Sequence, residues 1–395
     1  MAMENVVIVS GARTAIGGFM GSLKDHEPTA LGALCIRAAL ERAETDANDV
    51  DHVVFGNVIH SSPRDMYISR VAAIEAGVPE TTPALTVNRL CGSGLQAIVT
   101  AAQLIMLGDA KTAVAGGAES MSRAPHALLK GRAGQKMGHV GAVDMMLGAL
   151  HDPFEGMHMG VTGENVAAEY GVDRDMQDAA ALESQKRAAH AIAEGRFRDQ
   201  ITPVMVRRKR EEVAFDTDEH VRGDTTAEGR AQLPTVFKKE GTVTPGNASG
   251  INDGAAALVL MSESQAKASG KKSMARIVSY GHAGVRPDIM GIGPVNAVRQ
   301  ALERANLTVE DLDVIESNEA FAAQACAVAK ELNLPADKTN PNGGAIALGH
   351  PVGATGAIIT VKTISELERI GGRYGLMTMC IGGGQGIAMI VEAVR

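Results

Sequence analysis

A chain of 395 residues has room for two or three domains, and 45% hydrophobic with 21% charged residues is the balance of an ordinary globular protein. A net charge of −8 argues against a general nucleic-acid binder, which needs a basic stripe. With 45 glycines, no tryptophan and 3% aromatic residues, the core is built from small and aliphatic side chains whose backbones approach closely.

The first residues enter a β-branched run, Val6-Val7-Ile8-Val9, which leaves no space for an export leader. The last four residues carry no peroxisomal or retention signal, and no apolar stretch is expected to reach the roughly 18 residues that cross a bilayer. A cytoplasmic, non-membrane protein is expected. Its four cysteines (Cys35, Cys91, Cys326, Cys380) are far apart and expected to be free thiols.

The pattern predicts a strand at Val6–Ser10, a helix from Thr29 to Arg42, a strand at His52–Val58, a helix over Tyr67–Gly77 and a strand at Ala84–Asn88. A helix opens near Cys91, and a strand at Thr112–Ala115 ends in Gly116-Gly117. The stretch from Ser120 to about Gly250 has another texture, rich in Met, His, Arg and Gly, with one clear helix around Asp175–Glu194. Its basic run Arg207–Arg210 meets Glu211 and Glu212 at once and reads as a solvated hairpin or loop. A strand at Ala255–Met261 resumes the first plan. Strands at Ala275–Tyr280 and Val314–Ser317 then alternate with helices at Val295–Ala305 and Ala320–Leu332. A loop, Asn340–Pro351, leads to a helix from Gly353 and a last hairpin around Gly382-Gly383-Gly384. Two strand–helix regions of similar length imply two α/β halves of one plan. The expected division is residues 1–119 with 251–272 as the first half, 120–250 as an insertion, and 273–395 as the second half.

Cys91 lies where an apolar strand meets Gly92-Ser93-Gly94 and a helix begins. There the helix dipole and free N–H groups favour a thiolate, so a nucleophile is a better reading than a packed core thiol. The same residues, Gly92 to Ala97, fit the dinucleotide pattern G-x-G-x-x-A, but the strand is not the first of its unit and no acidic residue ends the next one. That reading is rejected. His350, between Gly349 and Pro351, sits on a rigid loop rather than an apolar helix face. Cys380 ends an apolar run before a glycine cluster, where backbone N–H groups can converge on an oxyanion; alone it could equally be a core residue. Asn318 follows a strand and is either functional or a helix N-cap. Neither a metal site nor a Walker motif is apparent.

Six motifs in order, Asn88–Gly94, Gly116–Ser122, Gly246-Asn247-Ala248-Ser249-Gly250, Asn318-Glu319-Ala320-Phe321, Gly349-His350-Pro351 and Cys380–Gly384, resemble the thiolase family from Val6 to Val391. The resemblance implies a five-layered α/β/α/β/α fold of two similar halves with an inserted loop domain that holds coenzyme A. It implies a reversible condensation of acyl-CoA with acetyl-CoA to 3-ketoacyl-CoA. Cys91 would be the acyl-accepting nucleophile, His350 its base, and Cys380 the acid/base at the α-carbon. Asn318, through a water, and His350 would form one oxyanion hole; the N–H groups of Cys91 and Gly382 would form the other. Ser249, Arg222, His158 and Met159 would contact coenzyme A or the acyl group. No metal or redox cofactor is implied, and a homotetramer is. Pro63–Tyr67 and Val143–Phe154 are most similar to bacterial β-ketothiolases of broad chain length. The rivals are a ketosynthase-like condensing enzyme, which lacks a second catalytic cysteine, and a non-catalytic acyl-CoA or lipid carrier on the same body.

Overall fold

The computed structural model describes residues 4–394; the chain ends, on which the expectations about sorting signals bear, lie outside them. In the first repeat, β1 (Val6–Arg13), α1 (Pro28–Arg42), β2 (His52–Gly56), α2 (Ile68–Glu75), β3 (Ala84–Val87), α3 (Ser93–Leu107) and β4 (Thr112–Ser120) follow one another. An excursion then carries α4 (Met159–Tyr170), α5 (Arg174–Ala193) and the hairpin β5 (Val204–Arg208) and β6 (Glu211–Phe215). The chain returns through β7 (Asn252–Ser262). The second repeat comprises β8 (Ala275–Gly284), α6 (Gly293–Ala305), β9 (Val314–Ser317), α7 (Ala322–Leu332), α8 (Thr355–Ile370), β10 (Tyr374–Ile381) and β11 (Gln385–Ala393).

Strand pairing makes the duplication explicit. β1 pairs antiparallel with β7 and β7 with β4, after which β4, β2 and β3 run parallel. β8, β11, β10 and β9 repeat that order and those senses, lacking only a partner for β3. The halves join edge to edge through Val7 opposite Arg276 and Ile8 opposite Ala275, giving one ten-stranded sheet that includes the two-residue strand Gly17–Gly18. α3 and α8 pack on each other between the half-sheets, while α1 and α2 cover the first half-sheet and α6 and α7 pack on the second. This is the expected five-layer order. A side chain at Gly94 would strike the backbone of Ala357, and one at Gly356 the side chain of Leu95 at 2.7 Å, so the two central helices approach at glycines.

Most strands run longer than the periodicity predicts. β4 continues through Gly116 and Gly117, read from sequence as its end, because both face crowded backbone where no Cβ fits, Gly117 against Gly353 and Gly116 against Ala256. The loop before Pro351 contains a helical turn, Ala345–Leu348, and α4 was not anticipated. The basic run does form a hairpin, with Arg207 opposite Glu212 and Arg208 opposite Glu211. By mean hydropathy, Leu90–Leu107 does reach the range of a membrane span, contrary to expectation. It is α3, and its apolar character belongs to the central layer of the fold.

The excursion is bolted to the first repeat. Arg13, at the end of β1, is fully buried and makes a bidentate ion pair with Asp218 at 2.8 and 3.0 Å. Its Nε donates to Gln200 Oε1 at 3.2 Å, and Asp218 also accepts the Ile16 N–H at 2.8 Å.

Candidate active site

A cavity of about 440 Å³ opens between the excursion and the segments that lead into the N-termini of α3 and α8. Its lining includes Cys91, His350, Gly382, His158, Met159, Ser249 and Arg222, so seven residues singled out from the sequence meet there. The rest of the wall is mostly apolar, with Val58, Met121, Leu150, Phe237, Met290 and Phe321, and includes His220 and Thr244.

Cys91 stands on a strained turn. Leu90 adopts φ +44, a left-handed conformation that costs a branched residue energy. Asn88 Oδ1 accepts the Leu90 N–H at 2.9 Å, and Ser93 Oγ accepts the Arg89 N–H at 2.9 Å while donating to Leu90 O at 2.6 Å. A side chain at Gly92 would meet Ile381 at 2.6 Å, so the turn is pressed against the end of β10, where Cys380 lies. The helix starts at Ser93 rather than at Cys91, and the expected fall in thiol pKa does not occur. Burial pushes the Cys91 thiol up, with the Glu119 carboxylate adding to it, although the N–H groups of Gly382 and of Cys91 itself pull it down. At rest Cys91 is a neutral thiol that needs a base.

His350 is that kind of group. Its backbone N–H donates to Asn252 Oδ1 at 2.9 Å, and its Nδ1 lies 2.7 Å from Thr355 Oγ1. Among the described residues Nε2 is buried without a partner, and burial lowers the imidazole pKa to about 4, so the ring is neutral. A neutral imidazole with a bare nitrogen can accept a proton.

Two residues lie just behind the cavity wall. Cys380 is fully buried with Met159, Met290, Ala320 and Phe321, and burial beside Cys91 pushes its thiol well up. Asn318 is buried, and among the described residues neither end of its amide has a partner. It lines an internal space of about 10 Å³ with Glu316 and Ser317, room for a single water. It is not a helix N-cap, since α7 begins at Ala322 behind Phe321.

The excursion supplies the opposite wall. His158 caps α4, its Nδ1 accepting the Gly160 N–H at 3.0 Å, and stacks on Phe237 with ring centroids 4.6 Å apart. Burial, with His151 nearby, lowers its pKa. Ser249 is anchored by its N–H donating to Ala320 O at 3.0 Å. Arg222 is exposed at the mouth, with its backbone N–H held by Gln185 Oε1 at 2.7 Å. Sequence reasoning missed His220, Phe237 and Met290, which lie outside the motifs, and the support given by Asn252, Thr355 and Glu119. Glu119 lies inside the motif Gly116–Ser122, where sequence reasoning assigns its carboxylate no role.

Two matched α/β halves enclosing a thiol, an imidazole and a narrow apolar cavity define an acyltransferase. Models of the thiolase N-terminal domain and the thiolase C-terminal domain match residues 6–264 and 271–393. The chain belongs to the thiolase family. It is 64% identical over 392 residues to the β-ketothiolase BktB of Cupriavidus necator, covering 99% of this chain and 100% of that one. The crystal structure of the Bacillus anthracis acetyl-CoA acetyltransferase matches it with a TM-score of 0.97 at 46% identity, covering all of both chains. Human mitochondrial 3-ketoacyl-CoA thiolase in complex with CoA matches with a TM-score of 0.97 at 44% identity, covering 100% of this chain and 99% of that one.

Proposed function

We propose that the protein joins an acyl-CoA to acetyl-CoA, giving 3-ketoacyl-CoA, and runs the reverse thiolytic cleavage through an acyl group on Cys91. The observation that carries this reading is a neutral thiol, reached by the Gly382 N–H, sharing one apolar cavity with the bare Nε2 of His350.

In cleavage, His350 Nε2 takes the Cys91 proton and the sulfur attacks C3 of the 3-ketoacyl group. The C2–C3 bond breaks, and the electron pair left on C2 takes a proton from Cys380, releasing acetyl-CoA. Coenzyme A gives its thiol proton to the Cys380 thiolate and, as thiolate, displaces the acyl group. Cys91 leaves as a thiolate and takes back the proton held on His350 Nε2, so all three groups return to their starting states. One thioester replaces another, so no metal or redox cofactor is required. The N–H groups of Cys91 and Gly382 suit the oxygen of the acyl group on Cys91. Asn318, through a water, and His350 suit the enolate oxygen of acetyl-CoA; the unpartnered Asn318 amide supports this role. His158, Met159 and Ser249 suit the pantetheine arm and Arg222 the phosphates, a reading supported by the likeness to a relative solved with CoA.

A cytoplasmic homotetramer is part of the same reading. The assembly, not the compartment, is supported by exposed Leu128, Leu129, Met137, Val140 and Phe154 on the excursion and by the open edge of β3 with exposed Leu85. Light scattering at micromolar concentration checks it; a monomer rejects it.

The chemistry is tested on Cys380→Ser. Acetyl-CoA should still add an acetyl mass to the Cys91 peptide, while condensation and exchange of the acetyl methyl protons with deuterated water fall about 10²–10⁴-fold. Near-normal exchange in the folded variant removes Cys380 from its role. Absence of an acetyl label on Cys91 in the unmodified protein removes the covalent mechanism.

A further inference from the structure

Resting on His350 as the base for Cys91, we infer that Thr355 is its positioning residue, the hydroxyl accepting the Nδ1–H and thereby holding the tautomer whose bare Nε2 serves the cavity. The inference follows from counting protons. Thr355 Oγ1 stands 2.7 Å from His350 Nδ1 and 3.0 Å from the carbonyl oxygen of Pro351, four residues earlier in the chain. A hydroxyl has one proton, and a carbonyl can only accept. Pro351 O also accepts the N–H groups of Ala354 and Thr355 at 2.8 and 3.0 Å; we assign the hydroxyl proton to it as well, the usual back-bond of a threonine in a helix, which leaves a lone pair toward the ring. A ring nitrogen meeting a lone pair at that distance must carry hydrogen. Nδ1 is thus the protonated nitrogen, and Nε2, which has no partner among the described residues, is the acceptor.

The arrangement survives the reaction step. When Nε2 takes the thiol proton, Nδ1–H still donates to the same oxygen, so no side chain turns. A hydroxyl also differs from the carboxylate that orients many catalytic imidazoles: it brings no charge that would hold a proton on the ring at rest. Thr355 is itself rigid, almost fully buried at the first turn of α8 and fixed where Gly94 and Ala357 touch.

The test compares Thr355→Val, which keeps the shape without the hydroxyl, with Thr355→Ser, which keeps the hydroxyl. For valine we expect kcat and the rate of Cys91 alkylation by iodoacetamide at pH 7 to fall about 10- to 100-fold. KM for coenzyme A should be unchanged, and serine should restore most of the loss. A folded valine variant with undiminished alkylation overturns the inference. Should that variant fail to fold, ¹⁵N-histidine spectra of the unmodified protein decide, with the His350 signals assigned by their loss in His350→Asn. Protonated Nδ1 supports the inference; protonated Nε2 overturns it. His350→Asn also separates the two levels. If it leaves acetyl transfer to Cys91 intact, His350 is not the base; if it slows transfer while Thr355→Val does not, only the role of Thr355 fails.

Discussion

The two halves put matching residues at matching places and treat them in opposite ways. In the first, Gly56 stands opposite Gly117 and is followed by Asn57; in the second, Ser317 stands opposite Thr378 and is followed by Asn318. Two residues beyond those partners come Glu119, opposite Gly254, and Cys380, opposite Gly386. The Asn57 amide nitrogen donates to Ala118 O at 2.9 Å and Glu119 Oε1 at 3.1 Å. Glu119 also gathers the N–H groups of Val58, Ile59 and Gly353, tying a cavity wall to the loop that bears His350. In the first half the amide nitrogen closes a clamp and only Asn57 Oδ1 is unpartnered; in the second, among the described residues, both ends of the Asn318 amide are unpartnered. An unpaired buried polar group costs about 1–3 kcal/mol, so the second half carries the larger cost at this position, the place where the proposed mechanism uses Asn318.

The largest expected effect tests this directly. Asn318→Ala should lower kcat about 10²–10³-fold with an unchanged or higher melting temperature, whereas Asn57→Ala should cost about 1–3 kcal/mol of stability and little turnover. Kinetics and thermal unfolding of both variants decide; the opposite pattern breaks the comparison. Next comes acid stability. His350 is held at about 4, below its ordinary 6.5, so between those values the unfolded chain binds a proton that the native state does not. Its share of stability is complete above pH 6.5 and is lost as pH falls toward 4, up to about 3 kcal/mol. Denaturant titrations at pH 7 and 4.5 should show a smaller difference for His350→Asn than for the unmodified protein; an equal difference removes His350 as the cause. The smallest effect concerns the excursion. Arg222→Ala should raise KM for coenzyme A about three- to tenfold with kcat nearly unchanged, because an exposed cation adds uniform binding. A collapse of kcat at saturating substrate would put Arg222 in the chemistry instead.

Much of this was legible in the sequence because the duplication repeats its signals. Each half announces itself with β-branched strands and helical periods, and Cys91, His350, Cys380 and Gly382 sit in short glycine-rich motifs that retain their meaning without a structure. What escaped depends on contacts distant in sequence. Nothing near Cys91 reveals that burial outweighs the favourable N–H groups and raises its pKa. Gly116 and Gly117 looked like a strand end because their need for space is set by Ala256 and Gly353. Phe237 and His220 are separated from the motifs by irregular chain, and only the folded excursion brings them to the cavity.

The Arg13–Asp218 pair bears on how such a protein can diversify. Both charges are sealed from water, so losing either partner leaves the other uncompensated in the interior, a loss of about 3–5 kcal/mol that few domains tolerate. The stretch around Gln200 and Asp218 is therefore a fixed seam, while the exposed tip between Leu128 and Val140 is bound by no such constraint. Recombining whole excursions between relatives should therefore succeed only when the arginine and its aspartate travel together.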